Sequence, residues 1–183
     1  MVLWHTLMSL DGFIAGPDDD MRWAFEVELG PDETIDEVVR ATGALLVGRR
    51  TQDVEDREQP GFYGGAYRGP FFVLRHDPPA EPPVVKGVTG QFLDVGIEEA
   101  VAIAEQAAAG RNIGVLGATV ARQCLEAGLL GGILVHVAPV LLGDGVRLFD
   151  RPGGQAVKLE PISVRESGQS TALRFSVAPT GAR

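Results

Sequence analysis

The chain has one cysteine, Cys124, in 183 residues, so no disulfide can form within it, and no Cys/His cluster has the spacing of a zinc site. Histidine is scarce too: His5, His76 and His136 are the full complement, and they carry no signature of a nucleophilic triad. No stretch approaches the roughly 20 apolar residues that a bilayer-crossing helix needs, and the opening Met1-Val2-Leu3-Trp4-His5 has neither a basic region nor a long apolar core. Positive charge is in deficit, 16 Lys and Arg against 25 Asp and Glu for a net −9. That balance argues against broad binding to nucleic acid or anionic membrane, both of which rely on basic surface. A GxGxxG after a strand, a P-loop and an HExxH pair are missing as well. The expectation left standing is a reduced, cytoplasmic protein without a metal that acts on a small molecule.

What is present suits one domain over residues 1–183, with 45% hydrophobic and 22% charged residues and enough length to bury a core without staples. Val2 to Met8, Ala44 to Val47, Phe71 to Leu74, Ile113 to Leu116 and Ile133 to Val137 are short apolar runs that read as strands covered on both faces. Val84-Val85 and Val88 are shorter strand material. Helices are expected over Asp32 to Ala41, Ile97 to Ala109 and Val120 to Ala127, with Gly43 and Gly110 closing the first two. Ser9 to Asp20 is rich in turn chemistry and forms a long loop at the end of the first strand. Gln59 to Pro70 is a surface loop, and Pro78 to Pro83 an extended connector. Val157 to Glu166 and Thr171 to Val177, joined by Ser167-Gly168-Gln169-Ser170, read as an antiparallel hairpin.

Chemistry gathers at strand ends. Gly117-Ala118-Thr119 turns a strand into a helix through small residues, and free N–H groups at such a start make a site for a phosphate or a tightly packed turn. Gly48-Arg49-Arg50-Thr51 follows the second strand directly, where guanidiniums can grip a phosphate in a forked manner or face solvent as a basic turn. Arg75 follows the third strand. All three features emerge at one edge if the sheet is parallel, the edge where open α/β sheets bind ligands. His5 and His136 lie inside apolar strands and read as core histidines.

Four blocks together resemble the dihydrofolate reductase superfold, and more closely the RibD C-terminal domain, the reductase domain of the riboflavin-biosynthesis deaminase/reductase, with its stand-alone bacterial relatives. They are Met8 to Gly16, Val47 to Thr51, Gly117-Ala118-Thr119 through Glu126-Ala127-Gly128-Leu129, and Ala138 to Gly145 with Arg147-Leu148-Phe149. The resemblance implies an α/β fold with a mixed, mainly parallel central sheet, helices on both faces and a C-terminal antiparallel hairpin. It implies an NADPH-dependent reductase of a small pterin, pyrimidine or flavin-like heterocycle, forming a homodimer through Phe149 and the hairpin. The implied cofactor contacts are Gly48, Arg49, Arg50, Thr51, Arg75, Gly117, Ala118 and Thr119, with Ile14 and Gly16 on a loop over the nicotinamide. Asp11 and Glu28 are the implied catalytic carboxylates, and Trp23 the implied substrate contact. The chain departs from the family at Leu116-Gly117, where paired glycines are usual, at Val115, where a glutamate is common, and at Gly131-Gly132, where two acids often stand. These departures motivate the alternative of a nucleotide-binding protein without turnover.

Overall fold

Ala44-Leu45-Leu46-Val47 explains the architecture at its centre: all four are fully buried, so successive side chains must find apolar cover on opposite faces of a sheet. The computed structural model describes residues 1–28 and 33–178. In chain order its elements are β1 (Val2–Ser9), β2 (Phe13–Ala15), a short 3-10 turn Pro17–Asp19, α1 (Arg22–Glu26), α2 (Glu33–Ala41), β3 (Thr42–Gly48) and α3 (Arg49–Glu58). There follow β4 (Phe71–Leu74), β5 (Val84–Val85), β6 (Val88–Thr89), β7 (Gln91–Leu93), α4 (Ile97–Ala108), β8 (Asn112–Leu116) and α5 (Ala118–Glu126). The last third holds β9 (Leu130–Ala138), β10 (Val146–Arg147), β11 (Leu159–Ser167) and β12 (Ser170–Val177).

Eight strands form the main sheet in the order β11-β12-β9-β1-β8-β3-β4-β7. The six from β9 to β7 run parallel, and the hairpin β11–β12 adds antiparallel to β9. One face packs Trp4, Ala44, Leu46, Val115 and Ile133 beneath Ala100, Ala104 and Ala108 of α4 and Val120, Ala121 and Cys124 of α5. The alanine stripe lets α4 lie close to the sheet. On the other face Leu45, Val47, Phe71 and Val73 meet Phe62 and Tyr67 of the loop after α3, while Leu3 and Leu134 meet Val38 of α2. Burial pushes the Cys124 thiol up to about 12, so the single cysteine is an inert core residue. No helix among the described residues is long and apolar enough to cross a membrane.

The mainly parallel sheet, the helices on both faces and the terminal hairpin are as expected. The bounds differ in places, each for a local reason. The predicted helix start at Asp32 lies outside the described residues. The last helix starts at Ala118 rather than Val120, because Gly117 has φ 88° and completes the turn in a single residue. Strand β9 begins at Leu130 rather than Ile133, so Gly131-Gly132 belongs to it. A Cβ on Gly132 would lie 3.3 Å from Leu3 Cδ1 and from the Phe175 carbonyl, which accounts for a glycine there. The ribbon of β2 and β10, pairing Ala15 with Val146 and Phe13 with Arg147, has no signal in the sequence and ties the first loop to residues far along the chain.

Candidate active site

The C-terminal ends of β1, β3, β4, β7 and β8 open together into a cleft of about 1050 Å³. Adjacent parallel strands followed by helices put helix starts at that rim, and here two of them meet. Gly48 precedes α3 and Gly117 precedes α5. A Cβ on Gly48 would lie 3.3 Å from Val120 Cγ2, and one on Gly117 would lie 2.7 Å from Thr51 Oγ1. The two helices therefore begin side by side, at a distance that the missing side chains allow. Neither start has a side-chain cap or an acidic residue in its first turn. The Thr51 hydroxyl lies beside Gly117 rather than capping α3. The N–H groups of both first turns and both positive dipole ends remain available to an anion.

Arginines surround these starts. Arg49 donates to Asp53 at 3.0 Å within α3. Arg50 donates through Nε to Asp19 at 2.9 Å, and Arg57 donates to the Asp19 carbonyl, so two arginines of α3 hold the 3-10 turn against the cleft. Arg75 leaves the end of β4 with its guanidinium over the Phe92 ring at 5.5 Å, and its buried Nε has no hydrogen-bond partner. A half-buried guanidinium with an unused donor is set up for an oxyanion.

The structure brings most of the expected site residues to this cleft. Ile14, Gly48, Arg49, Arg50 and Thr51 wall it, together with Arg75, Gly117, Ala118 and Thr119. Gly16 lines an adjoining cavity of about 690 Å³, whose walls share Arg50, Ala118 and Thr119 with the main cleft. Three expected residues stand elsewhere. Asp11 is absent from the cleft walls; its carboxylate accepts from Ser9 Oγ at 2.6 Å and from the N–H groups of Leu142 and Gly143 at 3.2 and 2.7 Å. The Ser9 hydroxyl and the two N–H groups hold that carboxyl down to about 2, so it is ionised and engaged in fixing the loop. Glu28 is exposed, and its N–H and carbonyl bond Gln169 at the tip of the hairpin. Trp23 is half-buried outside the walls, because the short helix α1 turns Met21, Ala24 and Phe25 to the cleft in its place.

The sequence reading did not place four other residues at the site. His5 and His136 are core-buried as expected, yet both rings border the cleft, with centroids 5.1 Å apart. Tyr63 joins them, its hydroxyl 3.2 Å from His5 Nδ1. Glu55, buried on α3, accepts from Gly61 N–H at 3.0 Å, and desolvation raises its pKa. No local signal placed the two histidines there, because their meeting depends on the register between β1 and β9. No group of three or more His, Cys, Asp or Glu among the described residues could hold a metal ion.

Residues 67–173, more than half the chain, match the family described as the RibD C-terminal domain. No curated protein matches. Among solved structures, a protein from Shewanella sp. PV-4 assigned to riboflavin biosynthesis is 21% identical with a TM-score of 0.78, over 97% of this chain and 99% of that one. A diaminohydroxyphosphoribosylaminopyrimidine deaminase/5-amino-6-(5-phosphoribosylamino)uracil reductase from Thermotoga maritima is 14% identical with a TM-score of 0.70, over 97% of this chain and 56% of that one. The riboflavin biosynthesis reductase of Saccharomyces cerevisiae is 16% identical with a TM-score of 0.60, over 97% and 90%. At these identities the likeness is one of fold.

Proposed function

We propose that this chain, which belongs to the RibD C-terminal domain family, is an NADPH-dependent reductase that delivers a hydride to a pyrimidine-type or related heterocyclic substrate. The observation that carries the reading is the meeting of two uncapped helix starts at one cleft, brought side by side because Gly48 and Gly117 carry no side chain. The residues present suit the cofactor: the first turns of α3 and α5 for the diphosphate, and Arg49, Arg50 and Arg75 for the adenosine phosphate. Bound there, NADPH would supply the hydride, while the protein supplies orientation and electrostatics. Ile14 and Ala15, held by the β2–β10 ribbon, close one side of the cleft against water. The reductases named above act on a ribosylaminopyrimidine or serve riboflavin synthesis, and this supports a substrate of that type.

Cofactor preference tests the reading directly. Guanidiniums matched to a 2′-phosphate lose their partner when it is absent, and each charge-assisted contact contributes about 1.5–3 kcal/mol before discounting for exposure. On the order of tenfold tighter binding of NADPH than NADH is expected, shrinking in Arg50→Ala and Arg75→Ala and with added salt. Calorimetric titration of both cofactors checks it, and equal affinity or no binding would return the arginines to a solvated basic turn. Tight NADPH binding with no oxidation on any pyrimidine, pterin or flavin would favour a binding protein instead. We propose also that the chain pairs with a second copy, for which exposed Phe149, Ile162 and Val164 offer apolar surface. A monomer mass in light scattering at micromolar concentration would remove that.

A further inference from the structure

Hydride delivery to a C=N or C=O group leaves a second requirement, a proton for the heteroatom, and none of the contacts described so far meets it. Asp11 and Glu28 stand off the cleft walls, and Glu55 is committed to the Gly61 N–H. At the β1–β9 end of the cleft three other groups converge from three separate elements. Leu134 pairs with His5 and His136 with Leu7 across β1 and β9, so the two histidines stand two residues apart in register, on the same face of the sheet. The Tyr63 ring stacks at 5.3 Å on His5. His5 and His136 are only 5% and 2% exposed, yet each borders the cleft. The cofactor-facing residues come from β3, β4 and β8 on the other side of β1, so the cluster sits at the substrate end.

We propose that the imidazoles of His5 and His136, held by Tyr63, are the proton source for the substrate. This rests on the reductase reading above. Bound NADPH would supply the hydride for the new C–H bond at the substrate carbon and would leave as NADP⁺. The π pair of the C=N or C=O bond moves to nitrogen or oxygen, and that atom takes the proton of an imidazolium N–H. The neutral imidazole regains a proton from water at the cleft mouth. Imidazole suits the task because its ordinary pKa, about 6.5, makes it both acid and base near neutral pH. Burial raises the pKa of the Tyr63 hydroxyl, which keeps it protonated as a positioning residue rather than an acid.

Tyr63 faces the pair, with Tyr67 6.5 Å from Tyr63 and the charge of Arg111 acting on Tyr67, while Arg174 of β12 pairs with Leu134 on the same sheet face. Across the cleft stands Glu55, under the charges of Lys86 and Asp56. Farther along the walls are Asp19, Arg49, Arg50, Arg75, His76 and Asp94. A pH profile must therefore be read on variants of the pair and not on the wild type alone.

The test uses the full chain, NADPH, and two C=N acceptors, 5-amino-6-(5-phosphoribosylamino)uracil and dihydrofolate. His136→Ala and His5→Ala should lower kcat by about 10²-fold, the scale of a lost general acid, with KM and calorimetric NADPH affinity within about twofold of wild type. Imidazole added to the buffer should restore part of the His136→Ala rate, an effect that a packing role would not produce. His136→Gln keeps the volume and serves if the alanine variant melts early. Tyr63→Phe should shift the pH profile while leaving NADPH affinity unchanged. Without cofactor, the imidazole Cε1–H resonances of His5 and His136, assigned by the same variants, should titrate in the ordinary histidine range of about pH 5 to 8. Wild-type kcat and pH profile in the histidine variants, or resonances fixed across that range, would overturn the proposal and leave the reductase reading standing. NADPH bound but oxidised with neither acceptor would overturn it as well. Failure of the wild type to bind NADPH would overturn both.

Discussion

Replacing Gly117 by alanine separates two reasons for a glycine at the head of α5. The first is backbone conformation: φ 88° and ψ 150° lie in a region open essentially to glycine alone, where another residue costs about 1–3 kcal/mol. The lower entropy of an alanine in the unfolded chain offsets about 0.4–1 kcal/mol of this. The second is space, since the new Cβ would stand 2.7 Å from Thr51 Oγ1. That oxygen is movable, because threonine in a helix divides between two χ1 rotamers, so relief of the contact is cheap. The backbone term should win, leaving Gly117→Ala less stable by about 1–2 kcal/mol in urea unfolding, with NADPH binding weakened because the first-turn N–H groups shift. In the cycle with Thr51→Ala, coupling should stay below about 0.5 kcal/mol. Full recovery of stability in the double variant would show that the clash and not φ requires the glycine, and a neutral Gly117→Ala would refute both arguments.

Three further outcomes are expected. Asp19→Asn should free Arg50 from its carboxylate partner and tighten NADPH binding, by no more than about fivefold because an exposed pair is worth about 1 kcal/mol or less; unchanged affinity in calorimetry would count against the Asp19–Arg50 pair as a competitor. The Asp11 pKa is lowered to about 2 from 3.8 in the folded state, so its stabilisation is present above about pH 4 and lost as pH falls through the folded value. Asp11→Asn should therefore lose stability near neutral pH and show a flatter acid limb in thermal melts; an unaltered limb would contradict this. Glu55 has the opposite sign: its raised pKa favours the folded state at low pH, and that advantage is lost as pH rises through the folded pKa. Glu55→Gln, which keeps an acceptor for Gly61, should then be at least as stable as wild type near neutral pH in urea unfolding, and a clear loss there would show that the charge itself is needed.

The parts of this structure legible in the sequence are those fixed by local rules. A run such as Ala44 to Val47, short and apolar on both alternations, reads as a doubly covered strand, and a small-residue turn before an amphipathic run reads as a close helix start. Arg49, Arg50 and Arg75 reach the cleft because they follow parallel strands within one or two residues. What was not legible depends on distant partners. His5 and His136 meet through a register between strands more than 120 residues apart, and nothing near either residue encodes it. Trp23 misses the cleft walls because the direction of a five-residue helix is set by what it packs on rather than by its own pattern. The Asp11 carboxylate is claimed by N–H groups from Leu142 and Gly143, which no reading of the Asp11-Gly12 turn would supply.

The order of the strands divides the labour of the cleft along one axis. Everything suited to grip a nucleotide lies between β8 and β4, and the histidine cluster lies on β1 and β9. Substitutions on β9 or in the loop carrying Tyr63 would therefore alter the histidine end of the cleft without disturbing the two helix starts. On the proposed reductase reading, a library confined to those positions is a rational place to seek new acceptors, with the two helix starts left unchanged.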